Sequence, residues 1–233
     1  MEKINLLEPV PLNGTGITGK QYSRRNFLGY AGAAAGVGGL LVAGTACKKS
    51  KSSNKVDLGS GDVGILNYAY ALEQLEAAFY TQVLLTPYSG ITAVETSYLT
   101  DIRDHEIIHR EFFKNAIGAD AIRGLEVDFS SINFASRDSV LGTAKAFEDL
   151  GVSAYNGAGR LLVSANYLLL AGKIVSVEAR HAALIRDLIS NGSFADSTVI
   201  NAQGLDKSRT PAEVLAIAGT YIKTTIDASR LPV

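Results

Sequence analysis

From residue 62 onward, apolar side chains recur at helical spacing. Ile65, Leu66, Ala69, Leu72, Leu75, Ala78 and Phe79 follow the i, i+3, i+4 rhythm and predict a first helix over about 63–84, with Asp62 as its N-cap. Pro87, Ser89 and Gly90 mark a short turn. Thr92-Ala93-Val94-Glu95 is a capping-box pattern that opens a second helix, which runs to Ile117 and stops at Gly118. The stretch 119–137 has no helical period and carries only scattered Phe129, Ile132 and Phe134. A third helix begins near Asp138 or Ser139 and extends to about Asn156. Gly157 and Gly159 predict a short turn over 157–164, and a fourth helix follows over about 165–190, ending at Asn191-Gly192. After a polar stretch, Thr210-Pro211-Ala212-Glu213 combines an N-cap, a proline at the first helical position and a glutamate at the third. It opens a fifth helix to about Ile222. No segment shows a clear strand period.

Connection lengths then constrain topology. Short links join the first helix to the second and the third to the fourth, which makes each pair antiparallel. The link between the second and third helices is long enough to cross the bundle end to end. One long crossover in a four-helix bundle is the ferritin-like arrangement. The predicted class is therefore all-α: a ferritin-like four-helix bundle with an additional C-terminal helix.

Ahead of this bundle stands a different kind of segment. Ser23-Arg24-Arg25-Asn26-Phe27-Leu28 precedes an uncharged Gly/Ala-rich run that reaches Cys47. Ser23, Arg24, Arg25, Phe27 and Leu28 carry a resemblance to a twin-arginine export signal. The alternative is a permanent membrane anchor, since roughly 20 apolar residues can span a bilayer. Six glycines between Asn26 and Ala46 make a poor membrane core and favour the signal. Val42-Ala43-Gly44-Thr45-Ala46-Cys47 looks like a lipoprotein cleavage site with Cys47 as the lipidated residue, although Gly44 stands where a larger aliphatic residue is usual. Cleavage near Ala46 with Cys47 a bystander is the other reading. The organisation expected is a signal over 1–46, a flexible tether over 47–60, the bundle over 61–192 and a C-terminal extension over 193–233. Export by this route implies translocation of a folded chain, able to carry a cofactor loaded in the cytoplasm. The resemblance also implies the twin-arginine machinery as a partner, a periplasmic or cell-envelope location and a membrane anchor at Cys47.

Composition narrows the chemistry. The chain has 233 residues and a net charge of −1, so no basic field points to nucleic acid. With a single cysteine there is neither a disulfide framework nor a thiolate metal knuckle. Only three histidines occur, His105, His109 and His181.

Two of those histidines fall in one pattern. The second helix carries Glu106-Ile107-Ile108-His109 and the fourth carries Glu178-Ala179-Arg180-His181. An i, i+3 pair lies on one helix face, one turn apart, so both groups can reach one ion. The first helix adds Glu73 and the third adds Glu148. A glutamate from two helices with Glu-x-x-His from the other two is the ligand set of ferritin-like two-metal carboxylate proteins. Internal symmetry supports the set: Tyr80 lies seven residues after Glu73, and Tyr155 lies seven after Glu148. Each tyrosine thus shares a face with its glutamate, as core or outer-sphere hydrogen bonder. Glu76 competes with Glu73 as a ligand, but the tyrosine offset favours Glu73 and leaves Glu76 a supporting place. His105 lies about 100° around the helix from Glu106 and reads as surface or outer sphere. Four buried glutamates would carry −4, which two divalent ions balance if both histidines are neutral. Carboxylate and imidazole without thiolate suit iron or manganese, though zinc can bind too.

The stretches Glu73-Gln74-Leu75-Glu76-Ala77-Ala78-Phe79-Tyr80 and Val177-Glu178-Ala179-Arg180-His181-Ala182-Ala183 resemble the bacterial ferritin-like family that includes desiccation-related proteins. That resemblance implies a di-iron or di-manganese oxidoreductase acting on oxygen or peroxide in stress protection, with Glu106 and Glu178 bridging the ions. It equally implies, as the alternative, a non-catalytic stress-related bundle with weak or no metal binding. A homodimer remains open.

Overall fold

The structure is a computed structural model that describes residues 54–233. Arg24, Arg25 and Cys47, and with them the export and lipidation expectations, lie outside the described residues. The element order is β1 (Lys55–Asp57), α1 (Gly61–Leu85), α2 (Ala93–Ile117), α3 (Arg137–Gly159), α4 (Ala165–Ile189), α5 (Pro211–Ala218) and β2 (Thr225–Asp227).

Local chemistry explains most helix ends. The Thr92 hydroxyl accepts from Glu95 N while the Glu95 carboxylate accepts from Thr92 N, so the expected capping box opens α2. The same reciprocal pair, Thr210 with Glu213, opens α5 behind Pro211. Ser136 caps α3 and Ser164 caps α4. At α1 the expectation fails. Ser60, not Asp62, holds the N-cap position, and the Asp62 carboxylate instead accepts from Val163 N and Ser164 N, both at 2.8 Å. Asp62 sits one residue inside the helix, where its charge still meets the positive end of the dipole. Its hydrogen bonds pin the link between α3 and α4 to the start of α1.

The long crossover, 119–136, is held along α1 by buried polar side chains. Asn67 accepts from Ile122 N at 2.9 Å and donates to Asp120 O and to Leu58 O. Gln74 accepts from Leu125 N at 2.9 Å. Farther along, Phe129 and Phe134 pack on Phe79 with ring centroids 5.9 and 6.1 Å apart. The crossover thus passes from the start of α1 to its end and delivers α3 parallel to α2. Of the scattered apolar residues that this irregular backbone supplies, Ile132 is buried in the core, and Phe129 and Phe134 pack against it partly buried. They cover α1, which is buried on nearly every side.

Two expectations need correction. The first concerns 55–60, assigned above to a flexible tether. Lys55–Asp57 instead pairs in parallel with Thr225–Asp227, and Val56 and Leu58 are buried. Each such side chain contributes roughly 1.5–3 kcal/mol. Strands of three residues are too short to show a period, and neither has its partner nearby in sequence. The second concerns Gly157 and Gly159, read as a turn. Both lie inside α3, which ends at Gly159. Gly157 is required by a close approach: a Cβ there would stand 1.7 Å from Arg209 O. Arg209 is fastened at this place, with its backbone N donating to Ser153 O and its guanidinium to Ser153 Oγ. Gly157→Ala is therefore expected to push residues 207–209 off α3 and to destabilise the fold by about 1–3 kcal/mol. An unchanged urea midpoint for that variant would contradict this packing.

Beside it, Arg186 of α4 is almost fully buried. It donates to both Asp149 oxygens at 2.8 and 2.7 Å and to Thr198 Oγ1 at 2.8 Å, and pairs with Asp196 at 3.2 Å. One guanidinium so joins α3, α4 and the extension, a role that the sequence pattern does not show.

Candidate metal centre

Midway along the four helices, seven polar side chains meet in the core. Glu73 and Glu76 come from α1, Glu106 and His109 from α2, Glu148 from α3, and Glu178 and His181 from α4. None is more than 9% exposed. Their convergence follows from the topology. Each glutamate lies near the middle of a long helix, and the i, i+3 histidines sit one turn on.

The geometry has an approximate twofold. His109 Nδ1 approaches Glu178 at 2.9 Å, Glu73 at 3.5 Å and Glu106 at 3.8 Å. His181 Nδ1 approaches Glu106 at 2.9 Å, Glu178 at 3.2 Å and Glu148 at 3.6 Å. The tyrosines cross over. Tyr80 of α1 donates to Glu148 Oε1 of α3 at 2.5 Å, and Tyr155 of α3 donates to Glu73 Oε1 of α1. Two groups of four emerge whose ligand atoms lie within 4.8 Å of one another: Glu73, Glu106, His109, Glu178, and Glu106, Glu148, Glu178, His181. Glu106 and Glu178 belong to both.

The polar atoms facing this centre are not satisfied by protein donors. Glu73 Oε2, both Glu106 oxygens, Glu148 Oε2, Glu178 Oε1 and His109 Nδ1 are buried without a hydrogen bond of good geometry among the described residues, although the two histidines stand within ion-pair distance of Glu178 and Glu106. Each such group costs about 1–3 kcal/mol if left so, and more when charged. A cation between them removes that cost, so the residues are compatible with a metal site.

Electrostatics of the metal-free cluster point the same way. Burial raises the Glu73 carboxyl well above its usual range, and the nearby charge of Glu178 adds to it. Burial likewise raises Glu148, to about 7, with His181 opposing. At Glu106 burial is outweighed by His109 and His181, and the carboxyl falls to about 2. Burial disfavours charge on His109 and His181, but the surrounding glutamates prevail and hold both protonated, pushed up to about 12. Protons thus occupy the place that metal charge would take.

Glu76 breaks the twofold. Its symmetry mate, 75 residues on as Glu148 is from Glu73, is Gly151. A Cβ at Gly151 would come within 3.2 Å of Glu76 Oε1, so the bare glycine makes room for the fifth carboxyl. Burial raises that carboxyl, followed by the charges of Glu106 and Glu148. Glu76 belongs to neither ligand group. His105 is exposed, yet its Nδ1 lies 2.9 Å from His181 Nε2 and the two rings stack at 5.2 Å. Sequence reasoning left it between surface and outer sphere, and the structure gives it both properties.

The sequence pattern that defines the ferritin-like domain matches residues 61–191, more than half of the chain. The chain belongs to the ferritin-like domain family. No curated protein matches it. The matched region of this ferritin-like domain runs from the first residue of α1 to just past α4, so it contains the whole cluster. The strand pair and α5 complete the fold around it.

Proposed function

We propose that this ferritin-like domain binds two divalent ions, iron or manganese, and uses them on oxygen or peroxide in protection against oxidative or metal stress. The observation that carries the reading is the pair of overlapping ligand groups with Glu106 and Glu178 in common. Glu73 and His109 complete one ion's ligands, Glu148 and His181 the other's. When bound, such ions supply the electrons and open coordination positions for reducing an oxygen species.

The chain's own residues do the positioning. The Tyr155 and Tyr80 hydroxyls occupy Oε1 of Glu73 and Glu148, which leaves Oε2 of each free for an ion. His105 Nδ1 stands 2.9 Å from His181 Nε2, so with an ion bound it would accept the Nε2 proton and leave the Nδ1 lone pair of His181 facing the centre. Phe79, Phe113 and Phe147 keep the surroundings apolar. Elemental analysis of protein exported in the native host, with stopped-flow oxidation of the ferrous-loaded form, tests the reading. About two ions per chain are expected, because each Glu-x-x-His serves one. Oxidation should outrun that of free ferrous ion and slow at least ~100-fold in Glu148→Ala, in which one ion loses a carboxylate held only by α3. Metal-free protein whose melting ignores added iron and manganese would favour the non-catalytic bundle.

The same proposal includes export through the twin-arginine route and a lipid anchor at Cys47. Arg24→Lys with Arg25→Lys should leave the precursor in the cytoplasm, and Cys47→Ser should move the protein from membrane to soluble fraction. Wild-type protein found already soluble would remove the anchor.

A further inference from the structure

Past the end of the family match, the chain returns over the bundle as an arch fastened at both ends. It leaves α4 at Ser193, whose hydroxyl donates to Arg186 O at 2.8 Å. It meets α3 again at Arg209, which Ser153 holds. In between, it doubles back: Lys207 N donates to Val199 O and Asn201 N to Leu205 O, both at 2.9 Å, around an antiparallel bridge of Ile200 with Asp206. The arch stands over one face each of α3 and α4 and leaves a cavity of about 590 Å³, open to solvent. On α3 the cavity follows one helix face from Gly142 to Ser153, about 16 Å at the usual helical rise. Gly142, Ala146, Ala179 and Ala183 keep that floor low. Among the described residues, none of those at the metal centre lines it.

Charge and size restrict what can enter. Buried Arg186 is answered by Asp149 and Asp196. The other cations of the lining are not answered by carboxylates. Lys207 and Arg209 donate to neutral oxygens, Ser197 O and Ser153 Oγ. Half-buried Lys145 has no hydrogen bond or ion pair among the described residues. Asp206 is the one remaining carboxylate of the lining set against these three. Cations at protein walls draw an anion more strongly than the same charges in open water, because the walls polarise less than solvent. The rest of the lining, with Val199 and exposed Phe194, is largely carbon. Sites for small organic molecules run from roughly 300 to 1,000 Å³. Inorganic phosphate would answer the cations and leave the carbon walls wet. A neutral hydrocarbon would cover the walls and leave the cations unanswered.

We propose that the cavity between the arch and helices α3 and α4 binds a small organic anion, a carboxylate or phosphate group on an apolar body. Lys145, Lys207 and Arg209 supply the donors, and the alanine floor takes the body. Arg186 and Gly157 act as positioning residues, one tying the outgoing limb of the arch to α4 and the other admitting the returning limb to α3. The arch lies beyond residues 61–191, so this site is an addition to the matched domain. It stands whether or not the centre holds metal.

Isothermal titration of the purified protein with octanoate, octyl phosphate, octanol and inorganic phosphate tests it. At least one octyl anion should saturate at one molecule per chain and bind at least ~10-fold more tightly than octanol or inorganic phosphate. Which of the two binds better tells carboxylate from phosphate. Lys145→Gln with Lys207→Gln should weaken that anion at least ~10-fold, the worth of one charge-assisted hydrogen bond. The melting temperature of this variant should not change, because neither ammonium is ion-paired in the fold. Should it fall, Ala146→Phe decides: exposed Ala146 projects into the cavity, and the larger ring should abolish binding. Failure of both octyl anions to saturate overturns the proposal. Octanol binding as tightly removes the anion, and inorganic phosphate binding as tightly removes the apolar body; either result overturns it. Full affinity in the lysine variant or in Ala146→Phe places the bound molecule elsewhere and overturns it as well.

Discussion

Glu106→Gln combined with Glu178→Gln is expected to empty the centre of both ions at once. These two carboxylates are the members common to the two ligand groups, and glutamine keeps their volume while removing their charge. Glu73→Gln or Glu148→Gln alone touches one group each and should leave about one ion per chain, because the other Glu-x-x-His pair keeps its full set. Even outer partners of a metal ligand are worth about 10–100-fold in affinity, so the double variant should lose more than that. Metal analysis after gel filtration reads the stoichiometry directly. The melting temperature reads it a second way. Wild type at a thousandfold excess of metal over Kd gains about 4 kcal/mol, or about 10 °C for a domain of this size. The double variant should gain nothing. A double variant that still carries one ion would show that the two groups do not share these residues as bridges.

The second large effect is in pH. Without metal, the folded-state carboxyls of Glu73, Glu76 and Glu148 lie above their ordinary value near 4.5, Glu148 at about 7. A raised carboxyl contributes stability in full below 4.5 and loses it as pH rises through the folded value. His109 and His181, raised to about 12, likewise contribute in full below 6.5 and lose that contribution as pH climbs beyond it. Glu106 runs the other way: lowered to about 2, it stabilises above 4.5 and loses this as pH falls toward 2. The metal-free protein should therefore be most stable near pH 5 and weaken toward pH 8, by a few kcal/mol on the order of one or two pKa-unit equivalents. Metal-loaded protein should behave in the opposite sense, because protons compete with ions for the same oxygens and ring nitrogens. Melting followed by circular dichroism with and without manganese should show a gap that widens from pH 5 to pH 8. A gap that stays constant over that range would mean that the cluster is not what the metal occupies.

What the chain declares without its fold is considerable, and the reasons are local. The apolar rhythm of 65–79, the capping boxes at Thr92 and Thr210 and the stop at Gly118 are decided within a few residues of backbone, so they are legible in one dimension. So is the candidate ligand set. Glu-x-x-His at 106–109 and 178–181 is a spacing on one helix face, and the seven-residue offsets of Tyr80 and Tyr155 are another. Other features are fixed by partners far away in sequence. Asp62 caps a link a hundred residues later because the bundle brings Val163 to it. Lys55–Asp57 becomes a strand only when Thr225–Asp227 lies beside it. Gly157 looks like a breaker until Arg209 O is found against its Cα. The tyrosines share a face with their own glutamates, yet they donate to each other's, since across an antiparallel helix pair the nearest acceptor belongs to the facing helix. Glu76 and Gly151 make the same point inside the centre. Sequence shows an extra glutamate and an unremarked glycine. Only close packing of α1 on α3 turns the missing side chain of one into the space that holds the carboxyl of the other.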